Sequence, residues 1–477
     1  MRRLLAVAAL ALASAGIAAG AEVLAPNDPL VPQQWYLARD RVFEAGVPPS
    51  SPPVRVAVID SGIDGRHPEL AGKIAAAKSF VGGSPLEDSD GHGTFVAGQI
   101  AAAWDERGTA GMAPSVRLLV AKVVRRDGTI LTRDEARAIR WAVAQGARVI
   151  NLSFSIPRNP RARGWHTYSA REARAIAYAV RRNVVVVAAV GNSGDVPGSP
   201  PVWNYAGYPA ALPHVLGVGA LARDGSVPSF SNRDARFADI AAPGDEIVST
   251  LPSTLTRQFP SCAEQGYSLC GPSSYRRGAG TSFAAPQVSA AAALLATVRP
   301  ELRADQITTL LERNAVDARA ETGCTRCPNG RDALTGWGQL DISAAIAAAR
   351  SGSVPAADRY ESNDDAGSAA WALSARVRDV SATLDYWDDP IDVYRIRLRA
   401  GTQLRAMLRG SAEAVTTLSL WRPATTRIAR SRKPLLRASA VRGVARLRYR
   451  ARRAGSYYLA VERASLGSGP YALQVVR

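Results

Sequence analysis

Three short glycine-containing segments carry an aspartate, a histidine and a serine, which are the side chains needed for nucleophilic catalysis. Asp60 ends an apolar run, His92 lies between two glycines, and Ser282 precedes an alanine-rich stretch. A serine hydroxyl is a weak nucleophile at neutral pH and needs an adjacent base. A neutral imidazole can accept its proton, and an aspartate can fix the imidazole tautomer and stabilise the imidazolium. The three segments together predict covalent catalysis by a serine.

Each of these residues also has a structural interpretation. An aspartate after a strand is often a turn or cap residue, and a serine before a helix is often an N-cap. Two other histidines, His67 and His214, stand beside prolines and are expected to be structural or surface residues. The order Asp, His, Ser, with each residue in a glycine-bearing segment at the end of a predicted element, favours catalysis over three unrelated caps.

Asn192 adds a fourth component, because it follows a buried apolar run in a Gly-Asn turn. Its amide can donate a hydrogen bond to the oxyanion of a tetrahedral intermediate, where such a donor contributes roughly 3–4 kcal/mol. The residue types therefore point to acyl transfer, the chemistry that splits amide bonds.

The elements that would position these residues alternate between short apolar runs and helical patterns from residue 54 to residue 341. This alternation predicts an α/β fold with a largely parallel sheet flanked by helices. Sites in such folds lie outside the carboxyl ends of the strands. The predicted strands cover residues 54–59, 116–124, 149–152, 184–189 and 215–220, and the predicted helices cover 93–103, 133–145, 168–181, 281–298, 303–313 and 342–350.

The pattern changes after a Gly/Ser/Pro-containing linker at residues 351–357. Apolar and charged residues then alternate at 393–398 and 445–449, and similar runs follow at 457–461 and 471–476. Alternation of this kind is typical of half-buried strands. Residues 358–477 are therefore predicted to form a small all-β sandwich.

The N-terminal segment is predicted to be a signal peptide over residues 1–21, because a positive start precedes an apolar run and small residues at a cleavage site. The catalytic region would then cover residues 22–350. Export to the periplasm or the extracellular medium follows, and an uncleaved anchor is the alternative. No stable membrane insertion is expected, since the run is shorter than the roughly 20 residues that span a bilayer.

The net charge of +18 comes from 59 basic and 41 acidic residues. Such a charge can suit nucleic acid, but the arginines are spread along the chain without a long basic block, so no nucleic-acid partner is predicted. Four cysteines suit an exported chain, and local disulfides, Cys262 with Cys270 and Cys324 with Cys327, are favoured. A four-thiolate metal site and a redox role for the second pair are the weaker alternatives.

The chain resembles the subtilisin-like serine proteases (subtilases) from about residue 27 to residue 349. The resemblance rests on the segments around Asp60, His92 and Ser282 and on Asn192 in its strand-end loop. It implies a seven-stranded parallel sheet and endopeptidase activity. It also implies that these residues are the triad aspartate, the base, the nucleophile and the oxyanion donor. Protein or peptide substrates are expected and no cofactor is required, while the oligomeric state stays open.

The resemblance also implies where the substrate binds. Ser153, Phe154 and Ser155 match the strand that pairs with the substrate backbone, and Gly191 and Gly207 lie beside it. A glycine at position 207 predicts a roomy, neutral pocket and a preference for large apolar or aromatic residues before the cut bond. Ser155 and Ile156 stand where the family usually has glycines, so their side chains are expected to narrow the outer subsites.

Other departures concern packing and metal binding. Phe95 replaces a histidine common in the second motif and should change packing without affecting the base. Glu69 and Asp105 fall where some relatives hold a calcium ligand, but oxygen-rich calcium sites need 6–8 ligands. No metal site is therefore predicted, and calcium is left open.

The C-terminal part resembles the bacterial pre-peptidase C-terminal domain, a β-sandwich attached to secreted peptidases. The segments 358–364, 389–394 and 454–460 carry that likeness. Two alternative functions remain for the whole chain: a peptide transferase or cyclase built on the same site, and an exported binding protein with a vestigial protease fold. The intact set of four site residues favours hydrolysis over both.

Overall fold

The structure is a computed structural model that describes residues 26–47, 51–160, 167–194, 204–258, 274–428 and 433–477. It contains an α/β region that ends at Ser351 and a C-terminal β region that follows it. The predicted signal peptide and the predicted Cys262–Cys270 pair lie outside the described residues.

The α/β region contains both helices and strands, in an order close to the predicted alternation. Its α-helices are Trp35–Arg39 (α1), His92–Ala101 (α2), Thr132–Ala144 (α3), Ala170–Arg181 (α4), Ser253–Gln258 (α5), Thr281–Val298 (α6), Ala304–Arg313 (α7) and Ile342–Ser351 (α8). Short 3-10 segments occur at Val31–Gln33, Phe43–Ala45, Pro68–Leu70 and Ala320–Thr322. Its strands are Arg55–Asp60 (β1), Ile74–Ser79 (β2), Arg117–Lys122 (β3), Val149–Leu152 (β4), Val185–Ala189 (β5), Val215–Leu221 (β6), Ile240–Pro243 (β7), Ile247–Thr250 (β8) and Tyr275–Gly278 (β9).

Seven of these strands form one sheet in the order β2-β3-β1-β4-β5-β6-β7, and every neighbouring pair is parallel. The predicted α/β fold with a parallel sheet is confirmed. The strands β2 and β7 were not predicted. β2 is a partly exposed edge strand, and β7 has only four residues and ends in a proline. Neither of them produces a long apolar run.

The sheet is covered on both faces because successive side chains of a strand point to opposite sides. In β1, Val56 and Val58 belong to the core that contains α2 and α6, whereas Ala57 and Ile59 belong to the core that contains α3 and α4. Continuous apolar strands are the expected result of burial on two faces. The polar residues that follow the strands are thereby collected at the carboxyl edge.

Helix α6 runs through the core and carries the candidate nucleophile at its beginning. Within the described part of the chain it is the one helix long and apolar enough to cross a membrane, and 83% of it is buried inside the molecule. An apolar surface on all sides is typical of a helix at the centre of a fold. Its composition therefore matches its buried position.

The C-terminal β region forms two sheets. Its strands are Trp371–Ala372 (β10), Asp379–Asp385 (β11), Ile391–Leu398 (β12), Gln403–Arg409 (β13), Thr416–Trp421 (β14), Leu436–Ser439 (β15), Val444–Arg450 (β16), Gly455–Arg463 (β17) and Ser468–Val476 (β18). One sheet has the order β10-β12-β17-β14-β15 and the other β11-β18-β13-β16. Leu418 and Leu459 of the first sheet share a core with Leu408 and Leu473 of the second. The all-β sandwich is confirmed.

Cys324 and Cys327 are joined by a disulfide bond. Both residues are buried and pack with Leu221 and Val227. The pairing is the local one that the spacing favoured, and the small cluster anchors the loop between α7 and α8 to the end of β6.

Candidate active site

Asp60 and His92 form a hydrogen-bonded pair at the carboxyl edge of the sheet. Asp60 is the last residue of β1, and His92 is the first residue of α2. The imidazole Nδ1 lies 2.8 Å from Oδ1 and 3.0 Å from Oδ2 of Asp60. A carboxylate can only accept here, so the proton of the neutral ring is on Nδ1, and Nε2 is left as the acceptor. This is the tautomer that a general base requires.

The pair is held because α2 begins in direct contact with the turn after β1. A Cβ at position 93 would lie only 2.0 Å from the carbonyl oxygen of Gly62 and 3.2 Å from Cβ of Asp60. Only glycine allows the two backbones to approach so closely. The glycine after His92 therefore sets the distance between the base and its aspartate.

A buried carboxylate that the sequence analysis did not identify fixes the same helix terminus. Asp88 accepts hydrogen bonds from the Ser61 hydroxyl at 2.8 Å, from the Gly91 N–H at 2.9 Å, and from the N–H and hydroxyl of Thr94 at 2.9 and 2.6 Å. The Ser61 hydroxyl in turn accepts from the N–H of Gly93 at 2.8 Å. An acidic residue a few positions before a helix was the available signal, because carboxylates stabilise helix N-termini.

The pKa of His92 is raised to about 9. Burial of the ring acts in the opposite direction and lowers the pKa. The charge of Asp60 and its hydrogen bond raise it by more, and Asp90 and Asp88 add to the effect. The carboxylates around the ring thus favour the imidazolium, which is the form that the base takes when it has accepted a proton.

Ser282 is the second residue of α6 and is partly exposed. The next residue, Phe283, lies against the imidazole of His92, with ring centroids 5.5 Å apart, and against Phe95 at 4.2 Å. Phe95 is fully buried and therefore contributes packing, as its position in the motif predicted. In the described part of the chain no hydrogen bond joins His92 to Ser282, a situation common in structures without substrate.

Asn192 is fixed to the beginning of the same helix. Its Oδ1 accepts from both the N–H and the hydroxyl of Thr281, each at 2.8 Å. A backbone N–H can only donate, so the amide orientation is unambiguous, and Nδ2 points away from this contact. Nδ2 lies close to Gly280, where an added Cβ would be 3.1 Å away. An exposed donor is therefore placed beside Gly280, two residues before Ser282.

The predicted substrate-binding residues Ser155, Gly191 and Gly207 lie together. A Cβ at position 207 would lie 2.2 Å from Oγ of Ser155, and one at position 191 would lie 2.9 Å from it. The Ser155 hydroxyl also lies 3.2 Å from the carbonyl oxygen of Val190. Ser155 thus lies between Gly191 and Gly207, and the roomy pocket expected from Gly207 stays a prediction.

The other residues of segment 153–156 differ in exposure. Ser153 is buried and accepts from the Asn151 amide at 2.9 Å, whereas Phe154 is partly exposed. Ile156 pairs with Tyr208 in an antiparallel bridge. The backbone beside Gly207 is therefore paired through Ile156 and Tyr208, and substrate pairing at residues 153–155 stays a prediction.

Three acidic residues, Asp28, Glu69 and Asp105, lie near one another in the N-terminal part of the region. Oδ2 of Asp28, Oε2 of Glu69 and Oδ1 of Asp105 are buried and have no hydrogen-bond partner among the described residues. Burial raises the pKa of Glu69 to about 7, and the charges of Asp105 and Asp28 act in the same direction. Arg107 binds the other oxygen of Asp105 at 2.5 Å. The carboxylate oxygens suit a hard cation such as calcium.

The two histidines expected to be structural have structural partners. His67 is buried, accepts from the N–H of Glu69, and lies 3.1 Å from the carbonyl oxygen of Ser274. His214 lies 2.9 Å from Oδ1 of Asp364 in the C-terminal β region. Neither of them lies at the candidate site.

Known proteins resemble this chain over most of its α/β region. The sequence profile of the subtilase family matches residues 52–338, which is more than half of the chain. The chain is 36% identical to subtilisin DY from Bacillus licheniformis over 265 residues, which cover 55% of this chain and 84% of that protein. It is also 36% identical to subtilisin BL from Lederbergia lenta over 263 residues, covering 55% and 83%. It is 35% identical to subtilisin E from Bacillus subtilis over 264 residues, covering 55% and 60%.

Proposed function

We propose that this chain, which belongs to the subtilase family and is a serine-type endopeptidase, hydrolyses peptide bonds through Ser282, His92 and Asp60. The observation that carries the assignment is the 2.8 Å contact between Nδ1 of His92 and Asp60 at the carboxyl edge of the sheet. This contact leaves Nε2 of His92 as the acceptor that the proposed base requires.

In the first step the Ser282 oxygen attacks the carbonyl carbon of the peptide bond, and its proton moves to Nε2 of His92. The imidazolium then gives this proton to the amine, the C–N bond breaks, and an acyl-enzyme remains. Water attacks the ester in the same way, with His92 again as the base, and the acid product leaves. Asp60 stays ionised and orients the ring throughout.

The negative charge that develops on the carbonyl oxygen is stabilised by Nδ2 of Asn192. The beginning of α6 supplies backbone N–H groups that have no partner within the helix, together with the positive end of the helix dipole. Because Asn192 is fixed to Thr281, the donor and the nucleophile keep their relative positions. Preorganised donors of this kind usually make the largest contribution to the lowering of the barrier.

The substrate backbone pairs with the strand at Ser153, Phe154 and Ser155, between the segments that contain Gly191 and Gly207. The pocket for the residue before the cut bond is neutral and apolar. Large apolar or aromatic side chains are favoured there over charged ones, and the Ser155 side chain limits the space beside Gly207. No cofactor takes part in this reaction.

The N-terminal segment supports export of the enzyme to the periplasm or the extracellular medium. Its substrates are proteins or peptides, and the C-terminal β region is a pre-peptidase C-terminal-like domain. The intact pair of His92 and Asp60, with a donor at Asn192, supports hydrolysis over a vestigial protease fold.

The proposal is tested by labelling with a serine-directed phosphonate and by casein clearing, each with the purified protein and its Ser282→Ala variant. We expect one phosphonyl group, on the tryptic peptide that contains Ser282, and loss of clearing in the variant. Product mass spectrometry should find free carboxyl ends. Unlabelled protein that is folded by circular dichroism, or joined peptides in place of hydrolysed ones, would contradict the proposal.

A further inference from the structure

Three carboxylates from distant parts of the chain converge where the C-terminal β region meets the α/β region. Asp239 precedes β7, Glu312 lies in the last turn of α7, and Asp388 lies in the turn between β11 and β12. They offer oxygen atoms that all lie within 4.8 Å of one another. Like charges at this distance repel each other, so something has to compensate them.

The cluster is shielded from solvent on the side of the α/β region. Asp239 is 1% exposed and Glu312 is 5% exposed. Oε1 of Glu312 is buried and has no hydrogen-bond partner among the residues that the structure describes. A buried carboxylate oxygen without a partner is costly, and such groups are usually paired or coordinate a metal. This oxygen is an observation independent of the clustering.

The cation already present is not sufficient. Arg331 binds Oδ1 of Asp239 at 3.0 Å, but the same guanidinium also donates to the carbonyl oxygens of Ala235 and Ala238. The charge of His214 also acts on Asp388, so two cationic side chains face three carboxylates. The negative charge that remains when all three carboxylates are ionised would be compensated by a bound cation.

The cluster opens on a cavity of about 140 Å³ between the two regions, and Glu312 and Asp388 form part of its wall. A water molecule occupies about 30 Å³ in the liquid, so there is room for several. Water can therefore complete the coordination of an ion that the protein holds by only three side chains.

We propose that Asp239, Glu312 and Asp388 bind a calcium ion that joins the α/β region to the C-terminal β region. All the side-chain ligands are hard carboxylate oxygens, as calcium prefers. Oxygen atoms that lie within 4.8 Å of one another can share one ion at Ca–O distances of about 2.3–2.6 Å. Magnesium is less suitable, because it demands shorter bonds in near-ideal octahedral geometry. The ion fastens a domain contact and takes no part in peptide hydrolysis.

The experiment uses the full chain with Ser282→Ala, which prevents self-digestion, and Tb³⁺ as the probe. Trp387 precedes Asp388, and its ring lies 5.1 Å from that of Trp337, so these indoles can sensitise Tb³⁺ emission. We expect saturable emission that calcium competes away. Glu312→Gln should weaken Tb³⁺ binding at least about tenfold, because a charged ligand is lost.

Two matched variants test the position. Glu301→Gln removes an exposed carboxylate just before the same helix, and Glu361→Gln removes one from a neighbouring acidic group on the same cavity. Both should keep binding within about threefold, a difference well below the loss of a ligand. If Glu361→Gln abolishes binding and Glu312→Gln does not, the ion lies elsewhere and the proposal is wrong.

A second variant keeps the test valid should Glu312→Gln fold poorly. Asp388→Asn changes a partly exposed turn residue and should lower Tb³⁺ affinity in the same way. Calcium should also raise the unfolding temperature of the Ser282→Ala protein and have a smaller effect in the Asp388→Asn variant. Equal shifts in both proteins, or no Tb³⁺ binding at all, would overturn the proposal.

Discussion

His92 at the candidate active site and His214 at the junction of the two regions are both paired with carboxylates. The hydrogen-bond distances are 2.8 Å to Asp60 and 2.9 Å to Asp364. The pKa of each ring is raised, to about 9 for His92 and about 10 for His214. In both cases burial acts against the charged form and the neighbouring carboxylates outweigh it.

The surroundings differ more than the pairs. The His92 side chain is 25% exposed and borders the terminus of α6, whereas His214 is 11% exposed and touches a second carboxylate, Glu361, at 3.3 Å. The His92 ring is the more exposed of the two, and the His214 ring lies between two acidic groups. In the proposed function, access to substrate separates the pair at His92 from the pair at His214, which holds the two regions together.

The largest effects should come from replacing His92 or His214 with alanine. His92→Ala should lower kcat by about 10⁶-fold, the size that loss of the base has in subtilisin. His214→Ala should leave kcat within a few fold. It should lower the free energy of unfolding by about 2–3 kcal/mol, less than for a fully buried pair because Asp364 is partly exposed. Kinetics with a peptide substrate and urea unfolding measure the two effects. Loss of activity in folded His214→Ala would contradict the comparison.

The next largest effect concerns the oxyanion donor Asn192, which belongs to the candidate active site and has no counterpart beside His214. Asn192→Ala should lower kcat by about 10²–10³-fold, as deletion of such a donor does in subtilisin, with little change in KM. The physical reason is that the donor acts on charge that exists only in the transition state. Steady-state kinetics separate the two constants, and a rise in KM alone would assign Asn192 to ground-state binding.

The dependence on pH should separate the two histidines in opposite directions. Hydrolysis needs neutral His92, so kcat/KM should rise about tenfold per pH unit up to about pH 9 and then level off. His214 gains its stabilising charge on folding, because its pKa rises from 6.5 to about 10. Its contribution is complete below pH 6.5 and is lost as the pH rises through about 10.

This prediction is checked with a pH–rate profile and with urea unfolding of the Ser282→Ala protein, with and without His214→Ala. The stability difference between the two proteins should shrink steadily from pH 6.5 to pH 10. A difference that grows over this range would show that His214 is not held by its carboxylates in the way described.

The smallest effect concerns the size of the pocket for the residue before the cut bond. Ser155→Gly should clear the space between Gly191 and Gly207. The kcat/KM ratio for phenylalanine over alanine before the cut bond should then increase about tenfold, the usual size for a small change in pocket volume. Ser155→Ala removes only the hydroxyl, so its ratio should lie between those of the unchanged protein and Ser155→Gly. Unchanged ratios in both variants would place the pocket elsewhere.

Local features of the fold could be predicted from the sequence because their signals are local. The run before Asp60 predicted β1 to within one residue at each end, and Gly-His-Gly predicted the beginning of α2. Strand β14 was not predicted, since all six of its residues are buried and no alternation marks it. A two-residue period appears only where one face of a strand is exposed.

Contacts between distant residues could not be predicted. His214 and Asp364 are 150 positions apart, and nothing near either residue indicates its partner. The position of the Ser155 hydroxyl could not be predicted either. A departure from glycine was visible in the sequence, but the direction of its hydroxyl towards Gly207 depends on the bridge between Ile156 and Tyr208. Side-chain direction is a property of the assembled sheet.

Thr281 links Asn192 to the nucleophile helix through two hydrogen bonds that bridge 89 positions of chain. A change in the loop after β5, which carries Asn192, will therefore also move Ser282. The rate of turnover and the range of accepted substrates therefore cannot be changed independently through this loop. A variant library that randomises the loop has to keep Thr281, so that its two hydrogen bonds to Asn192 are preserved.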